Sequence, residues 1–413
     1  MKVTVIGGGL IGLCSAYYLN KAGFQVIVID KGNFNQGASY VNAGYISPSH
    51  FVPLATPGIV AKGMRWMLSS TSPFYIKPRF DMDLVKWGLA FYKSANEKKV
   101  AQNTPYLSAI LNYSRELTID IKNTIGNQFR MEEKGCLMLY KNKETEKHEI
   151  EMLHDAKKYH LKAEILTKNQ VQDLEPDVEL DILGAAMYYD DCHLHPGEFM
   201  NTLYNYLIER GVMILNQSEV TDFEIENKKI VRISTSEATI NTDHVVLAGG
   251  VWNLELCKKL NIPLLMQGGK GYSFTYKKVE RNLKYPAILV DHRCAMTPLG
   301  EDLRMGGTME ISGTDSPTLP KRILAIYDAA NLYYKNLNLP APKIEAAGYG
   351  FRPLSPDGLP YIDKVPQFKN VTIAGAHAMV RLSLAAGTGK IVADLVAEQK
   401  PEIDIEGFRV DRF

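Results

Sequence analysis

The segment Lys2–Gly12 reads KVTVIGGGLIG, a run of β-branched residues that passes directly into three glycines. A stretch of helical character follows, and a second apolar run, QVIVI, ends at Asp30. The segment therefore predicts a strand, a glycine turn, a helix and a second strand that is followed by an acidic residue. This is the complete context of a G-x-G-x-x-G fingerprint. Gly7 permits the tight turn, Gly9 lets the backbone approach a pyrophosphate, and Gly12 lets the helix pack close to the strand. The helix N-terminus attracts phosphate and Asp30 accepts from a ribose hydroxyl, so the segment predicts an adenine-dinucleotide site.

Length and composition exclude several classes of protein. At 413 residues the chain predicts two domains, and 46% apolar with 23% charged residues is typical of a globular protein. A net charge of +1 gives no reason to expect nucleic acid as a partner. The first strand starts at Lys2, so we expect no signal peptide, and no apolar run reaches the roughly 18 residues of a membrane span. The 5 cysteines form no C-x-x-C pair and predict reduced thiols in a cytoplasmic protein.

Five apolar runs, widely separated along the chain, predict the strands of one nucleotide-binding sheet. They are centred near residues 5, 28, 214, 246 and 373, and the segments between them are long enough to build a second domain. The predicted fold is α/β, or α+β overall, with a Rossmann-like domain and an inserted, mainly antiparallel substrate domain. The expected bounds are 1–50, 190–255 and 343–413 for the nucleotide-binding domain, and 51–189 and 256–342 for the substrate domain.

Later segments resemble a known family in the same order along the chain. The block ASYVNAGYISP covers residues 38–48, GFRP covers 350–353, and LSPDGLP covers 354–360. With the N-terminal fingerprint, these blocks resemble the glycine/D-amino-acid oxidase family of FAD enzymes over essentially the whole chain. Within that family they look most like bacterial D-amino acid dehydrogenases. The resemblance implies FAD, and since the matching C-terminal block has no cysteine, we expect it to be bound non-covalently.

The resemblance also implies which residues contact the cofactor. Most belong to the glycine turn, the 38–44 block and the turns after later strands, and Val220 is expected beside adenine. The predicted FAD-binding residues are Gly7, Gly9, Leu10, Ile11, Gly12, Asp30, Lys31, Ala38, Ser39, Asn42, Ala43, Gly44, Val220, Ala248, Gly249, Trp252, Gly350, Gly375, His377 and Val380.

Amino-acid oxidation at Cα delivers a hydride to flavin N5, so the protein must chiefly orient the substrate. A planar guanidinium grips a carboxylate through two parallel hydrogen bonds, and the family match gives this role to Arg352 of the G-x-R-P block. The alternative for Arg352 is a salt bridge to Asp357 or a contact with the C-terminus of a strand. Further polar candidates for the substrate pocket are Tyr45, His50, Tyr272, His292 and Tyr349.

Three positions depart from the family pattern. Arg381 stands where relatives usually carry glycine, Gly348 where they often carry tryptophan, and Asp363 replaces a frequent glycine. Arg381 is predicted as a second catalytic and substrate-binding cation, which either grips the carboxylate or neutralises reduced flavin. The alternative is an arginine turned to solvent.

Two other features have competing explanations. His193 and His195 are spaced for metal binding on a strand, but no third ligand is evident, so no metal is predicted. The basic, apolar stretch 62–79 contains Trp66, Met67, Phe74 and Tyr75, and it fits a buried helix or a membrane-surface segment.

The resulting hypothesis is a flavin dehydrogenase that converts a D-amino acid to an imino acid, which water hydrolyses to a 2-oxo acid and ammonia. Electrons would pass to a quinone or another respiratory acceptor, and the enzyme would be cytoplasmic or peripheral at the inner face of the membrane. Alternatives are an enzyme for a cyclic or secondary amine, such as D-proline or cis-4-hydroxy-D-proline, and a glycine/sarcosine-type oxidase. From another class, the chain could be a non-catalytic flavoprotein or the electron-transfer subunit of a larger complex. The sequence leaves the oligomeric state open.

Overall fold

The N-terminal strand lies inside a sheet whose other strands come from distant parts of the chain. The structure is a computed structural model that describes residues 1–34, 37–59 and 74–413. The sheet has the strand order β19-β20-β13-β1-β2-β9, parallel except for the edge strand β19. Its strands are β1 (Lys2–Ile6), β2 (Gln25–Ile29), β9 (Met213–Leu215), β13 (His244–Leu247), β19 (Tyr361–Lys364) and β20 (Val371–Gly375). The prediction that five separated runs pair in one sheet is therefore confirmed.

A second, larger sheet is mainly antiparallel, as predicted. Its order is β18-β14-β17-β16-β15-β5-β7-β6, and β4 pairs with β17 outside that path. Its pairs are antiparallel except β15 with β5 and β17 with β4. Its strands are β4 (Phe74–Ile76), β5 (Cys136–Tyr140), β6 (Ala163–Thr167), β7 (Gly184–Tyr188), β14 (Gln267–Tyr276), β15 (Ala287–Leu289), β16 (Cys294–Leu299), β17 (Asp302–Ile311) and β18 (Gly348–Leu354).

Smaller sheets complete the strands of the described residues. One has the order β10-β11-β12, and the other pairs β3 with β8. Their strands are β3 (Tyr45–Ile46), β8 (Cys192–His193), β10 (Val220–Glu226), β11 (Lys229–Thr235) and β12 (Thr239–Asn241). The grouping of the sheets into two domains with the bounds given above stays a prediction.

The helices cover both sheets. They are α1 (Leu10–Lys21), α2 (Met82–Ser94), α3 (Glu97–Ile125), α4 (Lys143–Lys158), α5 (Lys168–Leu174), α6 (Pro196–Glu209), α7 (Asn253–Lys259), α8 (Pro320–Tyr333) and α9 (Ala385–Val396). α1 and α9 pack so closely that a Cβ at Gly389 would lie 2.5 Å from the backbone of Cys14. None of the helices in the described ranges has the length and apolarity needed to cross a bilayer.

Local sequence explains where the longest helix begins and ends. Asn96 caps α3 by accepting a 3.0 Å hydrogen bond from the backbone of Lys99, and Gly126 ends the helix with a φ of +87°.

The C-terminal residues hold the LSPDGLP block in place. Arg412 grips Asp357 through two hydrogen bonds of 2.9 Å, and its guanidinium lies 4.1 Å from the ring centroid of Tyr361. Both partners are largely buried, with side-chain exposures of 13% and 7%. The alternative pairing of Asp357 with Arg352 is wrong, because Arg412 occupies both carboxylate oxygens.

Replacing Arg412 tests this anchor. Arg412→Ala would leave the Asp357 carboxylate buried without its partner, which typically costs about 3 kcal/mol of unfolding free energy. We expect a clearly lower Tm in thermal unfolding. Arg409→Ala is the matched control, because Arg409 is exposed and pairs with Glu406 and Asp411 at the surface. Equal Tm values for the two variants would contradict the proposed anchor.

Candidate functional site

The glycine turn after β1 is shaped by close contacts between backbones. A Cβ at Gly12 would overlap the carbonyl oxygen of Gly7, and one at Gly7 would lie 2.5 Å from the carbonyl oxygen of Ala248. Gly7 also has a φ of +112°, a conformation that other residues rarely adopt. The glycines therefore bring α1, β1 and the end of β13 together at the carboxyl edge of the parallel sheet, where such folds bind nucleotides.

The N-terminus of α1 carries no negative charge of its own. Gly9 precedes the helix without a side-chain cap, and the first turn contains no acidic residue. The amide of Leu10 donates to Ser39 Oγ at 3.2 Å, while Asp30 accepts from the amides of Gly8 at 2.7 Å and Gly32 at 2.8 Å. Backbone donors at a helix N-terminus beside an acidic residue suit an adenine dinucleotide, so the residues present fit FAD.

The 37–44 loop lies on the glycine-rich face of the larger sheet. A Cβ at Gly350 would lie 2.7 Å from Ala38, and one at Gly348 would lie 2.6 Å from Val41. Arg304 holds the loop by donating to the carbonyl of Asn42 at 2.7 Å. Gly348 is therefore required because Val41 occupies the space that a side chain would need, which explains this departure from the family pattern.

The remaining predicted cofactor residues lie at the ends of the parallel strands or beside them. Lys31 Nζ lies 4.5 Å from the ring centroid of Trp252. Asn253 accepts from the amide of Gly249 at 2.8 Å, and a Cβ at Gly375 would lie 2.9 Å from its Nδ2. These contacts join the ends of β13 and β20, while Val220 begins β10 as a buried residue. FAD contact at each of these positions stays a prediction.

Arg352 lies on the face of β18 that the 37–44 loop covers. It shares that face with Gly269 and Gly271 of β14, and a Cβ at Gly271 would overlap its guanidinium. Its Nη1 donates to the carbonyl of Thr308 at 2.6 Å, and no carboxylate lies within 4 Å of it among the described residues. Burial lowers the pKa of Arg352 to about 10, so the group stays charged at neutral pH.

Arg381 joins the same region from the segment before α9. Its Nη2 donates to the carbonyl of Ala38 at 2.6 Å and its Nη1 to that of Phe351 at 3.2 Å. Burial, and secondarily the charge of Arg352, lower the pKa of Arg381 to about 10. The alternative of an arginine turned to solvent is wrong, because two backbone carbonyls fix its guanidinium beside the 37–44 loop.

The backbone between β20 and α9 is strained. Ala376 and Ala378 have φ values of +60° and +49°, which cost an alanine about 1 kcal/mol or more each. Between them, His377 is buried and its Nε2 pairs with Thr388 Oγ1 at 2.9 Å. Burial lowers the pKa of His377 to about 3, so its ring is neutral. Val380, the last predicted contact here, is partly buried.

The structure does not bring every predicted pocket residue to Arg352. Tyr272 and Tyr349 pair across β14 and β18 on the opposite face. There Tyr272 Oη donates to Glu310 Oε1 at 3.1 Å, and Lys270 Nζ lies 4.3 Å from the ring centroid of Tyr349. His292 packs edge-on against Tyr333. Tyr45 donates to the backbone carbonyls of Ala287 and Met296. Their roles in substrate binding stay predictions.

His50 belongs to a polar chain that sequence reasoning missed. Its Nδ1 lies 3.1 Å from Ser49 Oγ, which donates to Asp191 Oδ2 at 2.6 Å. Asp191 is fully buried and Ser49 is 6% exposed. Because 142 residues separate the two, only the pairing of β3 with β8 brings them together, and no local pattern could have revealed it.

The two histidines considered for a metal have other contacts. His195 caps α6 by accepting from the amide of Glu198 at 3.1 Å, and His193 lies 3.9 Å from Glu132. In the described ranges, no group of three or more potential ligands is arranged to hold a metal ion. His195 thus serves as a helix cap, and His193 is a buried residue of β8.

Comparisons with known proteins agree over nearly the whole chain. Residues 2–395 match the family model for FAD dependent oxidoreductase, DAO. A D-amino acid dehydrogenase of Helicobacter pylori is 33% identical over 402 residues, which cover 95% of this chain and 94% of the relative. One from Granulibacter bethesdensis is 27% identical over 424 residues and covers 100% of both chains.

A solved structure shares the fold at lower identity. Glycine oxidase from Bacillus cereus superposes with a TM-score of 0.77 at 22% identity, over 97% of this chain and 96% of that one. At this identity the likeness shows the fold alone. The family match and the glycine cradle together show that the chain belongs to the DAO family of FAD-dependent oxidoreductases.

Proposed function

We propose that this enzyme oxidises the Cα–N bond of a D-amino acid to an imino acid, which water then hydrolyses to a 2-oxo acid and ammonia. The observation that carries the proposal is Arg352, a guanidinium with no carboxylate partner in the described residues, which faces the loop predicted to hold the flavin. The relatives named D-amino acid dehydrogenase support the choice of substrate.

FAD, when bound, supplies the acceptor for the two electrons and the hydrogen that leave Cα. Arg352 binds the substrate carboxylate and thereby fixes which face of Cα is presented. Arg381 adds a second positive charge and ties the 37–44 loop to β18, so the loop and the carboxylate site keep a fixed separation. The segment Gly375–Arg381 leads into α9, whose positive end favours negative charge nearby.

Non-covalent attachment of FAD is part of the proposal. All five cysteines are buried, and burial raises the pKa of each thiol, so none is predisposed to be a reactive thiolate. His377, the histidine beside the predicted flavin site, already bonds Thr388.

A quinone is the proposed electron acceptor, reached at the inner face of the membrane by a cytoplasmic enzyme. The outward face of α2 supports this, because Met82, Val85, Leu89 and Tyr92 are 49–69% exposed along one stripe and Lys86 lies beside them. Of the basic, apolar stretch 62–79, residues 62–73 lie outside the described residues. Phe74 and Tyr75 belong to β4.

A cyclic or secondary amine is the second candidate substrate. Arg381 favours it, because an arginine in place of the family's glycine narrows the space beside the 37–44 loop. D-proline would yield a cyclic imine, with no ammonia released in the oxidation itself.

A panel of substrates separates these candidates. We expect several primary D-amino acids to bleach the oxidised flavin under anaerobic conditions, because Arg352 supplies a carboxylate site of fixed geometry. L-amino acids, glycine, sarcosine, D-proline and cis-4-hydroxy-D-proline complete the panel. Bleaching by the cyclic amines alone would reassign the substrate, and protein that neither contains nor takes up FAD would refute the assignment as a flavoenzyme.

Replacing Arg352 tests the carboxylate site. Arg352→Ala removes a charge-assisted bidentate contact. We expect kcat/KM to fall on the order of a hundredfold, which corresponds to a loss of about 3 kcal/mol of transition-state stabilisation. Arg352→Lys should recover part of the loss, because the charge remains but the planar fork does not. Kinetics equal to those of the wild type in Arg352→Ala would remove this residue from the site.

Replacing Arg381 tests the second cation. Arg381→Met keeps most of the bulk but removes the charge and both hydrogen bonds, so we expect KM to rise by about tenfold. FAD retention should also weaken, because Ala38 loses its anchor. Arg281→Met, at an exposed arginine, is the control. Unchanged KM and FAD retention in Arg381→Met would contradict both roles.

A further inference from the structure

Asp191 is a buried carboxylate that has no cation beside it among the described residues. It is 0% exposed, and it accepts hydrogen bonds from the amide of Ser49 at 3.0 Å and from Ser49 Oγ at 2.6 Å. Within the described part of the chain, no lysine, arginine or histidine nitrogen lies within 4 Å of its oxygens. A buried, unpaired carboxylate is costly, and such groups are concentrated where proteins move protons.

The polar chain from Asp191 leads to His50. Ser49 Oγ lies between Asp191 Oδ2 and His50 Nδ1, at 2.6 and 3.1 Å, so the three side chains form a continuous path. Asp191 and Ser49 are buried, whereas His50 is partly exposed, and its Nε2 has no hydrogen-bond partner among the described residues. Asp191 is therefore the buried end of the path, and His50 is its partly exposed end.

The segment that contains His50 is bonded to elements beside the predicted site. The amide of Ser47 donates to Ser383 Oγ at 3.0 Å, and Ser383 Oγ donates to the carbonyl of Tyr45 at 3.1 Å. Ser383 follows Arg381 by two residues, and Tyr45 directly follows the 37–44 loop. The segment with His50 is thus attached to both elements that surround the Arg352–Arg381 pair.

Amino acids carry an ammonium group at neutral pH, and that group must lose a proton before its nitrogen can donate electrons to an imine. We propose that His50, connected through Ser49 to Asp191, accepts this proton. The proposal rests on the proposed function. One N–H bond of the ammonium breaks and its proton binds His50 Nε2; the Nδ1 proton passes to Ser49 Oγ, and the hydroxyl proton passes to Asp191 Oδ2. No electrons are exchanged. After product leaves, the proton returns along the same path to His50 and from there to solvent.

The electrostatic surroundings agree with this direction of transfer. Burial raises the pKa of Asp191 to about 7, with a further increase from Asp190, and burial lowers that of His50 to about 4. Asp191 can therefore hold the proton near neutral pH, while His50 passes it on. The other titratable groups around Asp191 are Cys136, Tyr188 and Cys192, with Arg115 bound to the backbone carbonyl of Asp190.

The test is the rate of flavin reduction as a function of pH, measured anaerobically with the best substrate of the panel. Asp191→Asn keeps the shape but cannot take the proton, so we expect reduction at pH near 7 to slow by roughly 10- to 100-fold. The difference in rate between this variant and the wild type should shrink as pH rises, because more substrate then binds as the free amine. Ser49→Ala should behave like Asp191→Asn, and Ser49→Thr, which keeps the hydroxyl, should restore the rate.

Three results would overturn the proposed proton path from His50 to Asp191. They are a loss of flavin-reduction rate in Asp191→Asn that is equal at every pH, no loss of rate in that variant, or equal rates in Ser49→Ala and Ser49→Thr. An infrared difference spectrum gives a readout other than turnover. The carbonyl band of a protonated, buried carboxyl should grow on substrate binding in the wild type and be absent in Asp191→Asn. If no D-amino acid reduces the wild-type flavin, the proposed function fails, and the same variants test the proton path with whichever amine does.

Discussion

The structure depends on the contact between the backbone of Gly12 and the carbonyl of Gly7. Because no side chain separates them, α1 lies directly over the end of β1, and its N-terminal amides point to the edge where β2, β13 and β20 also end. α9 then packs against α1 at a second glycine contact, Gly389 on Cys14. A methyl group at Gly12 would push the helix away, and the anion site, the sheet edge and the position of α9 would all shift with it.

The site combines a surface without side chains and a pair of cations. Glycines of β14 and β18 leave part of the sheet without side chains, and the 37–44 loop packs on that part. Arg352 and Arg381 supply positive charge there, and no carboxylate in the described residues lies close enough to neutralise it. Arg352 donates to one backbone carbonyl and Arg381 to two, which fixes each guanidinium and leaves other N–H groups for a ligand. Strain at Ala376 and Ala378 is consistent with a segment held in place by these contacts.

Local patterns predicted the parts of the fold that local physics determines. The fingerprint around Gly7 and the apolar runs near residues 214, 246 and 373 identified the parallel sheet, because buried strands require continuous apolar residues. The partner of Asp357 and the chain from Asp191 to His50 could not be predicted, since each joins residues far apart in sequence. The face of β14 that lies toward Arg352 carries Gly269 and Gly271, and glycines give no apolar or polar signal in the sequence.

The strand order has a consequence for synthesis of the protein on the ribosome. β1 is made first, yet its neighbour β13 emerges more than two hundred residues later, and β20, which completes the parallel edge, belongs to the last tenth of the chain. The apolar strands β1 and β2 can pair early, but the other edge of β1 keeps its backbone groups unpaired until β13 is made. Newly made chains are therefore exposed to aggregation until β13 and β20 emerge, and chaperone binding during translation would act on the same strand that later builds the nucleotide site.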